Sequence, residues 1–339
     1  MREGKELILA TKIYAKEDRS KSWFHMGTTF ICLVIAYAGG IFPSHWLIQL
    51  AFGTLSGLLL ARAFIIYHDY LHNTILQHST IAKLIFTWFG WHMLAPISVW
   101  KRSHDYHHAH NSKLYSSSIG SFPIVTKKKY LEASRKDQLI YLFIRHPLTI
   151  LCGYFFSFAY GMCIRTLIRS SEKHLDAIWS LIYHYGSIAV LGYFLGWESA
   201  VLGFLLPSLI AGAMGSYLFY AQHNFPGATF KDAGEWTYID AALESSSYMK
   251  MGPVMNWFTG NIGYHHIHHT NSKIPFYNLP KVYKEMEEFR IHARETSLKP
   301  WDMAKCLRLK VWDPEAGRMI GLKEIHKPLK KLELQTVEI

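Results

Sequence analysis

Twenty of the 339 residues are histidine, and they are clustered rather than scattered. His68 and His72 stand four apart. His104, His107 and His108 form an H-x-x-H-H box, and His265, His268 and His269 form a second copy with His266 as an extra imidazole. At this histidine content chance gives roughly 0.07 copies of H-x-x-H-H per chain, so two copies carry information. Positions i, i+3 and i+4 share one face of a helix, so each box is expected to direct its imidazoles at one point. A lone histidine is more often a packed core or surface residue, whereas three clusters at helical spacing point to metal. His223, in Gln222-His223-Asn224, brings the set to nine. A single zinc is full at four ligands, so nine imidazoles call for two ions with four or five each. Imidazole suits iron, zinc, copper and nickel alike. A pair of five- or six-coordinate ions with a vacant position fits iron and dioxygen chemistry best.

Asp69 and Asp105 each follow the first histidine of a box. A carboxylate there is expected to accept the second N–H of a ligating imidazole and fix its tautomer, or else to be a solvated helix acid. Asn261, four residues before His265, is placed to donate to a metal-bound water or to serve the turn Thr259-Gly260-Asn261. His92 and His110 lie near the boxes and are candidates to support the ligands from behind, and the other histidines, His326 among them, are expected at surfaces or interfaces. Cys32, Cys152, Cys163 and Cys306 contain no C-x-x-C pair and read as reduced, buried small residues.

These residues need elements to converge. Half of the chain is hydrophobic and only 18% charged, which excludes a disordered linker. The net charge of +11 fits a membrane surface or an acidic partner rather than nucleic acid once the apolar runs are counted. Four runs, 24–42, 46–67, 177–196 and 199–220, are each near the twenty or so apolar residues a crossing requires. The first two are joined by Pro43, Ser44 and His45, and the last two by Trp197 and Glu198. Such joints predict two helical hairpins. Neither joint holds a Lys or Arg, so the positive-inside rule places both joints outside. The caps 68–176 and 221–339 then lie in the cytoplasm with every box. Segments 81–100 and 139–164 are expected to be interfacial or re-entrant helices, because a crossing at 81–100 would separate the first two boxes. Residues 1–22 mix six Lys/Arg with four acids and do not read as a cleavable signal. The expected architecture is an all-α integral-membrane fold, residues 1–339 forming one domain. It has four transmembrane helices in two hairpins, two interfacial helices and a cytoplasmic helical cap around a di-metal site.

The boxes His68-Asp69-Tyr70-Leu71-His72, His104-Asp105-Tyr106-His107-His108 and His265-His266-Ile267-His268-His269 resemble those of the integral-membrane fatty acid desaturases. Tyr220-Ala221-Gln222-His223-Asn224-Phe225 is similar to that family's stretch with an extra ligand histidine. Trp257 to Tyr264, Ile274-Pro275-Phe276-Tyr277-Asn278-Leu279-Pro280 and the opening Ser22-Trp23-Phe24-His25 resemble the bacterial and plant delta-12 (omega-6) branch. The likeness extends from about residue 8 to 285. It implies a non-haem di-iron centre, two Fe ions held by the nine histidines, with dioxygen as cosubstrate and loss of two hydrogens from an acyl chain. It also implies an integral protein of a bacterial inner membrane. Tyr70 and Leu71 depart from the small pair common in this branch. Phe219 stands four residues before His223, where the animal acyl-CoA enzymes have an asparagine.

Methylene C–H bonds offer no acidic proton, so the hard step belongs to a cofactor while the protein positions the chain and excludes water. An apolar tunnel with Trp88, Trp91, Trp100 and Trp257 as walls is expected to admit an acyl lipid or acyl thioester from the bilayer. No haem or flavin motif is present, so electrons are expected from an external donor such as ferredoxin, docking on Lys127-Lys128-Lys129 and the basic C-terminal region. A histidine-box carotenoid or alkane hydroxylase or ketolase is the competing enzyme reading. A zinc-binding or zinc-transporting membrane protein is the competing non-enzyme reading, although its ligands belong near the bilayer midplane.

Overall fold

The computed structural model describes residues 2–43, 45–116 and 120–325. Ser44, His326 and the basic residues after it lie outside these. The structure is mostly helical, with four helices long and apolar enough to cross a membrane. In chain order the elements that matter for the site are α1 (Arg19–Ile41), α2 (Trp46–Leu71), α3 (Thr80–His92), α4 (Ile97–His110), α5 (Asp176–Leu195), α6 (Trp197–Ala221), α7 (Gly252–Phe258) and α8 (His265–Thr270). The long ones are α1, α2, α5 and α6. Each apolar run ends within a few residues of its sequence-based boundary, except that α2 continues through His68 to Leu71.

The four long helices are not equivalent. The most apolar windows of α2 and α6 are 61% and 50% buried, against 28% and 17% for α1 and α5. Thus α2 and α6 form the centre, and Ile31, Val34, Ile35, Trp179, Ile182 and Phe194 leave broad apolar faces exposed on α1 and α5. Small residues let the backbones approach: a Cβ on Gly40 would meet the Gly203 Cα at 3.1 Å, and one on Gly212 the Tyr154 Cα at 2.8 Å. Apolar helices in an apolar solvent associate through such close packing rather than through water exclusion.

The stretch 81–100 is not one helix. It breaks after His92, and α4 with the second histidine box begins at Ile97. Leu94 takes a left-handed φ of 52° in the turn. The carbonyls the turn frees are taken up by side chains: His92 O by His184 Nδ1 at 2.7 Å, Ala95 O by Tyr67 Oη at 2.7 Å and Leu94 O by Cys163 Sγ at 3.5 Å. Buried backbone requires such partners. Ser98 N at the start of α4 donates to Asp176 Oδ2 at 2.9 Å, so α5 anchors the box helix. The stretch 139–164 is likewise split, into Arg135–Ile144, Pro147–Leu151 and Tyr154–Ile164, because Pro147 cannot donate into a continuing helix.

Two corrections follow for the sequence-based expectations. The fold is not purely α: β1 (Tyr248–Lys250) pairs in parallel with β2 (Glu295–Ser297), and β3 (Leu309–Asp313) antiparallel with β4 (Arg318–Gly321). Cys32 and Cys152 are exposed, and only Cys163 and Cys306 are buried.

Candidate metal centre

Four pieces of chain supply the histidines. His68 lies in the last turn of α2 and His72 caps it; His104, His107 and His108 come from α4. His223 follows the end of α6, and His265, His268 and His269 come from α8. The short α8 is set by its neighbours. Gly260 and Asn261 turn the chain at φ 51° and 58°, and Met249 N of β1 donates to Gly263 O at 2.8 Å. All nine imidazoles are buried, none more than 8% exposed.

Their ring nitrogens form two groups. One holds His68, His72, His104, His108 and His268, the other His107, His223, His265 and His269; within each, one nitrogen per residue lies within 4.8 Å of all the others. The boxes therefore do not each converge on one point. On α4 the i, i+4 pair His104 and His108 serves the first group, while His107, about 100° around the helix from His108, serves the second. On α8 the division is reversed, with His265 and His269 in the second group and His268 in the first. Each H-x-x-H-H box thus sits between the two groups, and His108 stacks on His269 across them at 4.2 Å.

Within the first group, Nε2 of His68, His104, His108 and His268 follow one another at 3.0, 3.1 and 3.1 Å. In the second, His107, His223, His265 and His269 do so at 3.1, 2.9 and 3.1 Å. Nitrogens about 2.1 Å from a common ion are about 3.0 Å apart at right angles and about 3.4 Å apart in a tetrahedron. The observed edges match right-angled pairs, as in five- or six-coordinate ions. His223 Nδ1 donates to Ser245 O at 2.9 Å, which leaves the Nε2 lone pair facing its neighbours. His72 Nε2 is buried with no hydrogen-bond partner. Buried imidazole nitrogens gathered this closely present lone pairs that a cation can accept. Burial, and then the neighbouring imidazoles, hold His72, His104, His107, His108, His265, His268 and His269 well below the usual imidazole range. Burial likewise lowers His223 to about 4. Neutral imidazole is the ligating form, so the residues fit a pair of metal ions.

The supporting residues divide. Asp69 Oδ1 lies 2.9 Å from His68 Nδ1, and its Oδ2 accepts from Phe276 N at 2.7 Å, tying the first box to the segment after the third. Asp105 instead turns to the surface and pairs with Lys101 at 2.8 Å. Asn261 is a turn residue whose Nδ2 donates to Phe276 O at 3.2 Å. Of the four tryptophans, Trp100 is stacked on His104 at 4.2 Å and buried. Trp88 stacks on His92, Trp91 is half-buried, and Trp257 lies over Arg62 at 4.1 Å. Tyr70 packs on Phe86 at 4.7 Å, and Phe219 lies 5.0 Å from the His107 ring. His174 and His184 are buried rather than at surfaces, and His92 is buried with its Nε2 2.7 Å from Tyr37 Oη and touches none of the nine. His266 is held apart from both groups by Phe289 O at 3.1 Å.

Sequence reasoning passed over several residues. Ser121 Oγ lies 3.0 Å from His107 Nδ1, and the Ser245 carbonyl orients His223. Arg62, buried in α2, donates to Thr29 Oγ1 at 3.0 Å, to His25 Nδ1 at 3.2 Å and to Trp257 O. It was visible as the one Arg inside the run 46–67, and an ionisable residue in such a run is itself a signal.

The family model described as fatty acid desaturase matches residues 44–296, a stretch that contains all nine histidines. A fatty acid desaturase of Bacillus subtilis (strain 168) is 28% identical over 338 residues, covering 96% of this chain and 93% of the relative. An sn-1 acyl-lipid omega-3 desaturase (ferredoxin) of Nostoc sp. (strain 36) is 23% identical, with 78% and 74% covered. An sn-1 oleoyl-lipid 12-desaturase of Synechocystis sp. is 21% identical, with 80% and 78% covered. With a match across most of its length, the chain belongs to the fatty acid desaturase family, whose members are oxidoreductases.

Proposed function

We propose that the chain is an oxygen-dependent acyl-lipid desaturase with a non-haem di-iron centre, one iron held by His68, His72, His104, His108 and His268 and the other by His107, His223, His265 and His269. The observation that carries this reading is the division of nine buried imidazoles into groups of five and four at metal-ligand spacing. Two such irons, when bound, supply the dioxygen chemistry that removes two hydrogens from adjacent unactivated methylenes. The chain's own residues do the rest. Buried, neutral imidazoles present lone pairs without first shedding protons. Asp69 holds the tautomer and orientation of His68, and Ser245 O those of His223. Trp100, packed against His104, and Phe219, beside His107, supply apolar walls that keep water from the reacting methylenes.

In this reading α1, α2, α5 and α6 cross the membrane as two hairpins with both short joints outside. The histidine groups then lie at the cytoplasmic ends of α2 and α6, where an acyl tail enters from the bilayer. Relatives that act on acyl-lipid and oleoyl-lipid, one named with ferredoxin, support a lipid-linked acyl chain and a ferredoxin-type donor here. The test is a fatty acid profile by gas chromatography–mass spectrometry from a bacterial host lacking polyunsaturated lipids, with a co-expressed ferredoxin and its reductase. The expected result is a new acyl species lighter by two hydrogens, absent with His107→Ala. A species heavier by one oxygen would move the reading to a hydroxylase.

A further inference from the structure

Desaturation with dioxygen runs short of electrons. Removing two hydrogens from adjacent methylenes frees two electrons, whereas turning dioxygen into two waters consumes four, so two electrons and two protons must be delivered from outside. A donor that is a separate protein has to seat where the surface comes close to a ligand and carries charge that it can recognise.

The C-terminal end of α2 offers such a place. The helix stops at Leu71, His72 caps it, and its last carbonyls carry the negative end of the helix dipole. Two lysines from different parts of the chain close on these carbonyls. Lys101 Nζ of α4 donates to Leu71 O at 3.0 Å, and Lys273 Nζ donates to His72 O at 2.5 Å. Thr74 Oγ1 donates to Ser272 O at 2.9 Å, which fastens the segment after His72 to the one that carries Lys273. Burial, and then the charge of Lys101, lower the Lys273 ammonium from its usual value while Asp105 raises it, so the three charges share one field. Lys273 and Arg102 are exposed, Lys101 is half-exposed, and Asp105 pairs with Lys101 at 2.8 Å. Three cations against one carboxylate thus stand at the surface beside the backbone of His72, a member of the five-histidine group.

The run Lys127-Lys128-Lys129 is placed differently. Lys127 pairs with Asp313 at 3.4 Å, Lys128 with Glu132 at 3.9 Å, and Lys129 lies over the Tyr115 ring at 4.5 Å. None of these contacts reaches a histidine of either group.

We propose that Lys101, Arg102 and Lys273 form the docking surface for an acidic one-electron carrier protein, whose electrons enter at the His72 end of α2. This rests on the desaturase reading above and adds to it the face at which the donor seats. Lysines that only cap a helix need hydrogen bonds and no net charge, whereas a docking surface responds to the sign of every charge on it. Asp105 opposes the donor here, so its removal should strengthen docking.

The test is the Kd of an acidic plant-type ferredoxin for the iron-loaded full chain, measured by isothermal titration calorimetry at low salt. A non-ionic detergent keeps anionic headgroups from competing. Lys101→Gln/Lys273→Gln, which retains an N–H at each position, is expected to weaken binding by about tenfold, and the difference is expected to vanish at about 1 M salt. Asp105→Asn is expected to tighten binding by about threefold. Lys128→Gln/Lys129→Gln is expected to stay within about twofold of wild type. The rate at which reduced ferredoxin is reoxidised by the loaded chain should follow the same order. Equal affinity in Lys101→Gln/Lys273→Gln and wild type would overturn the proposal, as would a loss confined to Lys128→Gln/Lys129→Gln or no ferredoxin binding by wild type at low salt. Should the double variant at 101 and 273 fail to fold, binding by Asp105→Asn no tighter than wild type would overturn it. A wild type that binds ferredoxin but leaves the host's fatty acids unchanged would instead remove the desaturase reading.

Discussion

Asp69 and Asp105 occupy the same local sequence, His-Asp-Tyr, and end in different places. Asp69 lies on the most buried of the four long helices and touches His68, whereas Asp105 follows His104 around α4 to the surface and meets Lys101. Asp69→Asn is therefore expected to lower iron retention about 10- to 100-fold, read as iron per chain after dialysis against a chelator. Asp105→Asn is expected to retain iron like wild type. Equal losses in both would mean that the carboxylate contact at His68 does nothing for the metal. The eight box histidines were legible from type and spacing, and His223 from its place at the end of the last apolar run and from the resemblance. What spacing did not reveal was that each H-x-x-H-H box is shared, because that depends on how α4 and α8 lie relative to one another. Arg145 was visible only as an interruption of an apolar stretch; its complete burial is a property of packing.

At the scale of elements, the turn between α3 and α4 decides where the second box can stand. α3 has 13 residues and is about 20 Å long, too short to span about 30 Å of hydrocarbon. The chain turns after His92, and Tyr67, Cys163 and His184 satisfy the buried carbonyls freed there. Tyr67→Phe is expected to lower thermal stability in detergent by about 1–2 kcal/mol, since it leaves Ala95 O buried without a donor. A melting temperature identical to wild type would show that the turn finds another partner. Gly212→Val is expected to prevent stable folding, because its Cβ would meet Tyr154 backbone at 2.8 Å. Normal yield of a folded, metal-loaded variant would refute that packing argument. The four long helices were readable from hydropathy, which depends only on composition and length. The break within 81–100 was not, because the residues around it are as apolar as the helices on either side.

At the scale of the whole molecule, α2, α4, the end of α6 and α8 all contribute ligands to the histidine groups, so bound metal is expected to hold distant parts of the chain together. Removing it should lower the melting temperature, and re-addition should restore it. A ligand present at about a thousandfold over its Kd stabilises by about 4 kcal/mol. A chelator-treated sample melting at the same temperature as the loaded one would contradict this. The burial of α2 and α6 places His68, His72 and His223 at the ends of the two most buried of the four long helices, which suits a site that must hold its geometry. The most direct test of the account is the iron content of the purified full chain after anaerobic reconstitution with Fe(II) and removal of excess. Two irons per chain are predicted, falling when either His107 or His108 is replaced by Ala. One iron or none in the wild-type chain would contradict the division of the nine histidines into two metal-binding groups.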